Sequence, residues 1–257
     1  MASIDLNADV GEECGDDAAL FEVVTTANVA AGGHAGGGVV LIETVTSCAA
    51  RGVAVGAHPS YRDRENFGRL SRHGEYDALT LTALIRDQVL DVAAACASSG
   101  TTLTHVKAHG ALYHDIARDP EASEAFLAAV LDVSKDIGSD LYVTGSPASQ
   151  LESTARARGV AFVAEAFIDR LYHPDGTLAP RSQPDAVHTD PLIALEQAMS
   201  IALEGQVRAS DGTLINLAAQ TLCVHGDSSD AVAMARSVRE QLTENGVTIS
   251  PIAAFLP

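Results

Sequence analysis

Seven short apolar runs, each bounded by glycine or proline, alternate along this chain with longer stretches of helical period. The runs lie near residues 3 to 10, 23 to 31, 53 to 58, 104 to 110, 140 to 145, 161 to 167 and 221 to 226. This alternation is typical of repeated β-α units on a parallel sheet. Seven units predict an α/β fold with a closed or nearly closed TIM-like (β/α) barrel. An open doubly wound sheet is the alternative.

Helix signals between the runs support these boundaries. Three dipeptides combine a capping side chain with proline at the first helical position; they are Asp119-Pro120, Ser146-Pro147 and Asp190-Pro191. Apolar residues at three- and four-residue spacing between the third and fourth runs predict a long helix with one buried stripe. These residues are Leu81, Ile85, Val89, Val92 and Cys96.

Two segments break the alternation. Residues 171 to 189 hold three of the nine prolines and a Pro-Asp-Gly turn, which predicts an ordered loop rather than a helix. Residues 207 to 217 surround Ser210-Asp211-Gly212, which predicts a small hairpin before the last strand. Because no flexible linker or shift of composition divides the chain, we expect a single domain over residues 1 to 257.

Charge and cysteine content restrict the partners and the compartment. A net charge of −18 repels phosphate backbones and anionic lipid, which excludes nucleic acid and membrane surfaces as expected partners. Neither an export signal nor an apolar stretch of about 20 residues is present in the sequence. The four cysteines have no C-x-x-C spacing, so we expect reduced thiols and a cytoplasmic protein. The sequence does not decide whether the chain forms a homo-oligomer.

Polar residues cluster where the predicted strands end, which is where parallel α/β folds bind ligands. In the first strand, Asp5, Asn7 and Asp9 share one face opposite an apolar face. The second unit ends in a glycine-rich segment around His34, and the third ends at His58. These residues predict a polar site at the centre of the barrel, whereas a rim of solvated carboxylates is the alternative.

The later units add further candidates. His105, Lys107 and His109 share a face of the fourth strand, and His225 and Asp227 follow the seventh. The sixth unit supplies Glu165, Asp169 and Arg170. Convergence of histidines and carboxylates from several strands predicts general acid/base activation of water, because the chain has neither a G-x-S-x-G nucleophile elbow nor a phosphate-binding Walker loop. A structural ion pair is the alternative role for Lys107, and Cys223 is interpreted as a small core residue.

Ordered motifs over nearly the whole chain resemble the LamB/YcsF family, the A subunits of the bacterial ATP-dependent 5-oxoprolinase. The segments that carry this resemblance are DLNADVGE at 5 to 12, NVAAGGHAG at 28 to 36, GAHPSY at 56 to 61, NFGR at 66 to 69, VKAHGALY at 106 to 113, EAFIDRLYHPDGTLAPRSQ at 165 to 183 and VHGD at 224 to 227. The resemblance implies a seven-stranded barrel of the glycoside hydrolase/deacetylase type. It also implies hydrolysis of a cyclic amide C–N bond, from 5-oxoproline to glutamate, with B and C subunits.

The resemblance suggests a division of roles. Partner subunits would use ATP to activate the lactam, and this barrel would open the ring. The expected catalytic residues are Asp9, His58, Lys107, His109, Glu165, Asp169, Arg170 and His225. Among them, Asp9, His58 and His109 would handle water and protons, while Lys107 and Arg170 would stabilise negative charge. The expected substrate-binding residues are Asp5, Asn7, Glu12, Asn28, His34 and Asp227.

Departures from the family pattern leave the substrate less well defined than the fold. Ala31, Gly33 and Gly37 stand where Cys, Phe and Asp are usual, and the missing Phe and Asp would widen the site beside His34 and remove a charge. The alternatives are a metal-dependent deacetylase of a carbohydrate or amide and a scaffold protein of the complex without catalysis. If a divalent metal is bound, the expected ligands are Asp9, His34, His58 and His225.

Overall fold

The computed structural model describes residues 3 to 225 and 230 to 252. The chain forms two compact units. The larger unit consists of Asp9–Cys14 and Thr26–Val163. The smaller unit consists of the described residues of Met1–Ala8, Gly15–Thr25 and Ala164–Pro257. The single domain expected over residues 1 to 257 stays a prediction.

Strands and helices alternate along the chain. The strands are β1 (Ser3–Val10), β2 (Thr26–Ala30), β3 (Ala54–His58), β4 (Leu103–Lys107), β5 (Tyr142–Gly145), β6 (Phe162–Phe167), β7 (Gln206–Arg208), β8 (Leu214–Asn216), β9 (Thr221–His225) and β10 (Thr248–Ile249). The α-helices are α1 (Asp17–Leu20), α2 (Gly38–Arg51), α3 (Ala78–Ser98), α4 (Gly110–Arg118), α5 (Pro120–Ile137), α6 (Gln150–Arg158), α7 (Pro191–Met199) and α8 (Ala231–Glu244). A 3-10 turn covers His73–Glu75, and a π-helical turn covers Ser200–Glu204.

All seven apolar runs are strands, β1 to β6 and β9. Within the larger unit, β2, β3, β4 and β5 pair in this order as parallel neighbours. Within the smaller unit, β1 pairs with β10 and β6 pairs with β9, again in parallel. The predicted class, an α/β fold with a seven-stranded parallel barrel, is confirmed.

Two of the three predicted helix starts are correct. Asp119 and Asp190 cap α5 and α7, with proline in the first turn of each. The start at Ser146-Pro147 is wrong, because α6 begins three residues later with Ser149 as its N-cap. The Ser149 hydroxyl accepts from the Glu152 amide, and the Glu152 carboxylate accepts from the Ala148 amide. Two orphan amides are thereby satisfied, which favours this later start over the proline signal.

The other local predictions hold. All five residues of the predicted stripe are buried on α3. Residues 171 to 189 contain no helix, and β7 and β8 form the predicted antiparallel hairpin. The four cysteines are free thiols. No helix in the described ranges has the length and apolar character that a membrane span requires.

Candidate functional site

The polar face of β1 is buried, as predicted. The Asp5 carboxylate accepts hydrogen bonds from the hydroxyls of Thr25 and Thr221, and the Asn7 amide donates to Thr221 Oγ1 over 2.6 Å. These bonds lie within the smaller unit. Because buried polar groups are costly without partners, the threonines stabilise this face. These hydrogen bonds hold Asp5 and Asn7 in place, and the substrate-binding role expected for both stays a prediction.

Asp9, the third polar residue of β1, forms a buried ion pair in the larger unit. Lys107 Nζ lies 2.8 Å from Asp9 Oδ1, and Asn28 Nδ2 donates to the same oxygen over 2.8 Å. Lys107 is 1% exposed. An ammonium and an amide donor both favour the ionised carboxylate. Lys107 therefore holds Asp9 in place through a buried ion pair, and its expected catalytic role stays a prediction.

His105 orients Asn28 from the neighbouring strand β4. His105 Nε2 donates to Asn28 Oδ1 over 2.8 Å, which turns the amide nitrogen of Asn28 toward Asp9. Burial lowers the pKa of His105 to about 3, so the ring is neutral at pH 7. Thr104 Oγ1 lies 2.9 Å from His105 Nδ1 on the other side of the ring. A chain of side chains thus runs from Thr104 to Asp9 and fixes the carboxylate.

A glycine on β3 makes room for this chain. Gly56 is the register partner of His105, and a Cβ at Gly56 would overlap the His105 ring at Nε2. We expect Gly56→Ala to lower the unfolding free energy by about 1–3 kcal/mol, because the ring must move and release Asn28. Gly74→Ala is the matched control, since a Cβ there meets no atom within 4 Å. Equal urea midpoints for the two variants would contradict the prediction.

His58 and His109 meet at the centre of the larger unit. His58 Nδ1 donates to the carbonyl oxygen of Lys107 over 2.8 Å, and His109 Nε2 donates to the carbonyl oxygen of Phe67 over 2.9 Å. Their other nitrogens, His58 Nε2 and His109 Nδ1, are 3.0 Å apart. Asp9 Oδ2 lies 3.2 Å from His58 Nε2, and Glu12 Oε1 lies 3.2 Å from His109 Nδ1. We call Asp9, Glu12, His58 and His109 the central cluster.

His34 supports this cluster from the glycine-rich segment. Its ring stacks on that of His109 with centroids 3.5 Å apart. His34 Nε2 lies 2.9 Å from Glu12 Oε1, and Nδ1 lies 3.0 Å from Ser60 Oγ. Burial lowers the pKa of His34 to about 4, so the neutral ring donates to Glu12 through Nε2. Burial also raises the pKa of Glu12, but its interactions with the His109 and His34 rings outweigh this effect, and that pKa is well below its usual value.

Side chains closely approach the glycine at position 33. A Cβ there would overlap Ser60 Oγ and lie 2.5 Å from Gln88 Oε1. Gln88 fills this space, because its side chain accepts from the Ser60 amide and donates to the Ser60 carbonyl. Ser60 and Gln88 therefore pack beside Gly33, and the predicted widening of the site beside His34 stays a prediction.

The buried histidines predict a loss of stability in acid. His34 has a folded pKa of about 4 against 6.5 for the ordinary side chain, so the unfolded chain binds the proton first as the pH falls. We expect the unfolding free energy to fall as the pH decreases from about 6.5 to 4. Urea unfolding at each pH measures this slope. His34→Gln should flatten it, whereas the loop variant His173→Gln should not. An unchanged slope in His34→Gln would refute the assignment.

His225 and Asp169 form a second pair, within the smaller unit. His225 Nδ1 lies 2.8 Å from Asp169 Oδ2, and the same carboxylate oxygen accepts from the His225 amide over 3.2 Å. Burial raises the pKa of Asp169, but the charge and hydrogen bonds of His225 outweigh this effect and hold it below its usual value. The carboxylate thus fixes Nδ1–H on His225 and leaves Nε2 as the basic nitrogen.

The remaining predicted residues of the smaller unit differ in what they contact. Arg170 donates through Nη2 to the Ala179 carbonyl over 2.6 Å and through Nε to the Ala186 carbonyl over 3.3 Å. It therefore orders the loop of residues 171 to 189. Glu165 is buried on β6. Asp227 lies outside the described residues.

Sequence reasoning missed two contributors to the site. Phe67 lies within the NFGR motif at φ 54, and this left-handed conformation accompanies the bond from its carbonyl to His109. Gly68 has a φ of 64, and a Cβ added to it would lie 3.0 Å from a side-chain atom of His34 and of His109. The Phe-Gly dipeptide was the available signal, because close approach and positive φ favour glycine. His105 was recognised only as a member of a strand face.

Comparison with known proteins decides the family. Residues 4–257 match the sequence model of the LamB/YcsF family. The chain belongs to the LamB/YcsF family. It is 42% identical to the 5-oxoprolinase A subunit of Methylococcus capsulatus, over 99% of this chain and 97% of that protein. It is 43% identical to the 5-oxoprolinase A subunit of Bordetella parapertussis, over 96% and 98% respectively.

Solved structures show the same fold. The lactam utilization protein from Thermus thermophilus superposes with a TM-score of 0.87 at 38% identity, covering 96% of this chain and 99% of that one. The catalytic domain of peptidoglycan N-acetylglucosamine deacetylase from Eubacterium rectale superposes with a TM-score of 0.51 at 13% identity, covering 99% and 90%. The second likeness concerns the fold alone and agrees with the predicted deacetylase type of barrel.

Proposed function

We propose that this chain is the A subunit of an ATP-dependent 5-oxoprolinase, a hydrolase that opens the cyclic amide of 5-oxoproline to give glutamate. The observation that carries the proposal is the 42–43% identity, over nearly the full length of each chain, to proteins named as the A subunit of 5-oxoprolinase. The buried central cluster supports it, since such a group of carboxylates and histidines suits activation of water.

The reaction has two parts that fit different subunits. An unstrained five-membered lactam is a poor electrophile, and transfer of the γ-phosphoryl group of ATP to its oxygen activates the ring carbon. We assign this step to the B and C subunits. On this chain, water attacks the activated carbon, a C–O bond forms and the C–N bond breaks. The ring nitrogen takes up a proton to become the amine of glutamate, and a second water hydrolyses the resulting acyl phosphate to the carboxylate and inorganic phosphate.

The residues of the larger unit supply the acid/base chemistry in this proposal. The central cluster takes up the proton that the attacking water loses and later returns it to the departing nitrogen. Lys107 and Asn28 hold Asp9 ionised, and His105 orients Asn28. His34 holds Glu12. These supporting bonds keep the cluster in one geometry, which is what catalysis by preorganised groups requires.

The smaller unit offers an independent proton acceptor. His225, held by Asp169, has the geometry of an oriented general base. We assign Arg170 to ordering the loop of residues 171 to 189, in place of the charge-stabilising role that the resemblance implied. A cytoplasmic location is part of the same proposal.

Reconstitution tests the function directly. The full chain is mixed with B and C subunits, ATP and 5-oxoproline, and glutamate and ADP are measured. Glutamate should form only when all three subunits and ATP are present. An equal rate without this chain would refute the proposal. Hydrolysis of ATP by this chain alone with 5-oxoproline would refute the division of steps. Acetate release from an N-acetylated sugar, with no glutamate from the complex, would favour a deacetylase.

A further inference from the structure

The central cluster directs four electron-pair donors toward one point. Backbone carbonyls fix both histidine tautomers, because a carbonyl oxygen only accepts: Lys107 O binds Nδ1–H of His58, and Phe67 O binds Nε2–H of His109. The nitrogens that face each other are therefore the ones that carry lone pairs when the rings are neutral. A carboxylate oxygen of Asp9 and one of Glu12 complete the group.

These donors lie close enough together to share one cation. The ligand atoms of all four residues lie within 4.8 Å of one another, and all four residues are buried. His58 Nε2 and His109 Nδ1 are 3.0 Å apart, and each lies 3.2 Å from a carboxylate oxygen. A single proton is shared by only two of the four atoms, whereas a metal ion accepts electron pairs from all of them.

We propose that Asp9, Glu12, His58 and His109 bind one divalent transition-metal ion. Two imidazole nitrogens and two carboxylate oxygens suit Zn²⁺ and its neighbours better than Mg²⁺, which prefers oxygen and water. Bonds of about 2.0–2.1 Å in tetrahedral geometry place ligand atoms about 3.3 Å apart. The spacings of 3.0 and 3.2 Å in the cluster are close to that value.

The surroundings also match a metal site. Histidine ligands usually donate their second N–H to a carbonyl or carboxylate, as both histidines do here. Ligand carboxylates are usually hydrogen-bonded in turn, as Asp9 is by Lys107 and Asn28 and Glu12 is by His34. The two carboxylates outweigh the single ammonium of Lys107, so the cluster attracts a cation.

This ligand set differs from the one expected from the sequence. His34 uses Nε2 to bond Glu12 and Nδ1 to bond Ser60, so it supports the site from outside. Glu12 and His109 take the places given to His34 and His225. Such an ion polarises a bound water and lowers its pKa. Only this consequence for catalysis rests on the proposed function; the binding of the ion does not.

Binding of Zn²⁺ alone tests the proposal on the full chain after chelator treatment and dialysis. Titration calorimetry should show one equivalent bound, and bound Zn²⁺ should raise the melting temperature. Co²⁺ in the same site should give visible absorption bands with nitrogen and oxygen ligands. Mg²⁺ should bind far more weakly. The variants His58→Ala and His109→Ala should each weaken Zn²⁺ binding by more than about 100-fold.

Two variants control for adventitious binding. Glu13→Gln alters the neighbouring exposed carboxylate and should leave the Zn²⁺ affinity unchanged, whereas Glu12→Gln should weaken it. One equivalent that survives both histidine variants would overturn the proposal, as would no binding at millimolar Zn²⁺. Circular dichroism of each variant at pH 7 separates lost binding from lost folding, and any unfolded variant is replaced by His58→Gln or His109→Gln.

The outcome is separable from that of the proposed function. Calorimetry uses neither 5-oxoproline, ATP nor the partner subunits, so the metal site stands or falls without them. Glutamate formation in the reconstituted complex is measured in parallel with and without chelator. Zn²⁺ binding without glutamate would retain the metal site and refute the oxoprolinase assignment. Glutamate formation with no Zn²⁺ binding would refute the metal site and retain the oxoprolinase assignment.

Discussion

Lys107→Met is expected to lower the unfolding free energy by about 3–5 kcal/mol, the largest loss of stability among the single substitutions considered. The ammonium of Lys107 is buried and lies 2.8 Å from Asp9 Oδ1. Removing it leaves the Asp9 carboxylate in a low-dielectric interior with a single amide donor to that oxygen from Asn28. Desolvation of the anion is then no longer offset. Urea unfolding at pH 7 with chelator present measures the change.

The chain contains a matched control for this experiment. Lys135, its only other lysine, is exposed on α5, so Lys135→Met should change the unfolding free energy by less than about 0.5 kcal/mol. The double variant Asp9→Asn/Lys107→Met removes both charges and should recover part of the loss. If Lys107→Met and Lys135→Met were equally stable, the buried ion pair would contribute nothing to the fold.

Local patterns were sufficient to predict the fold. The period of two residues in β1 placed Asp5, Asn7 and Asp9 on one buried face, because side chains alternate strictly along a strand. The three- and four-residue spacing on α3 likewise identified its buried stripe. Each of these predictions depends on neighbours in sequence. The misplaced start of α6 shows the limit, since two competing caps within four residues differ only in their hydrogen bonds.

The details of the central cluster could not be predicted in this way. The tautomer of His109 depends on the Phe67 carbonyl, 42 residues away, and that of His58 depends on the Lys107 carbonyl, 49 residues away. No periodicity encodes which backbone oxygen a ring nitrogen reaches. Glu12 entered the predicted site only through the resemblance of its motif, and its bonds to His34 and His109 appear only in the structure.

The contacts of the charged side chain of Arg170 could not be predicted from the sequence either. From the sequence, an arginine at the end of β6 is expected to stabilise a developing negative charge. In the structure its guanidinium donates to two carbonyls of the loop of residues 171 to 189. These bonds add to the backbone hydrogen bonds that the loop forms within itself, such as Leu171 N to Ala186 O and Ala179 N to Leu171 O. The sequence does not indicate these two bonds, because the carbonyls that accept them lie 9 and 16 residues away.

Glu12→Gln is expected to lower the rate of glutamate formation in the reconstituted complex by about 10²–10⁴-fold, through kcat rather than KM. Glutamine keeps the size of the side chain and accepts the hydrogen bond from His34 through its amide oxygen. It has no negative charge, so it does not stabilise the positive charge that His109, 3.2 Å away, gains when the ring takes up a proton.

The control for this variant is one residue further along the chain. Glu13 has the same charge, its side chain is 54% exposed and it pairs with Arg64 at the surface, so Glu13→Gln should retain the full rate. Similar melting temperatures for the two variants would show that the fold is intact. If Glu12→Gln then formed glutamate as fast as Glu13→Gln, the central cluster would be a structural network. The chain would contribute to the complex by organising its partners, because a group that receives or stabilises a proton in the transition state cannot lose its charge without lowering kcat.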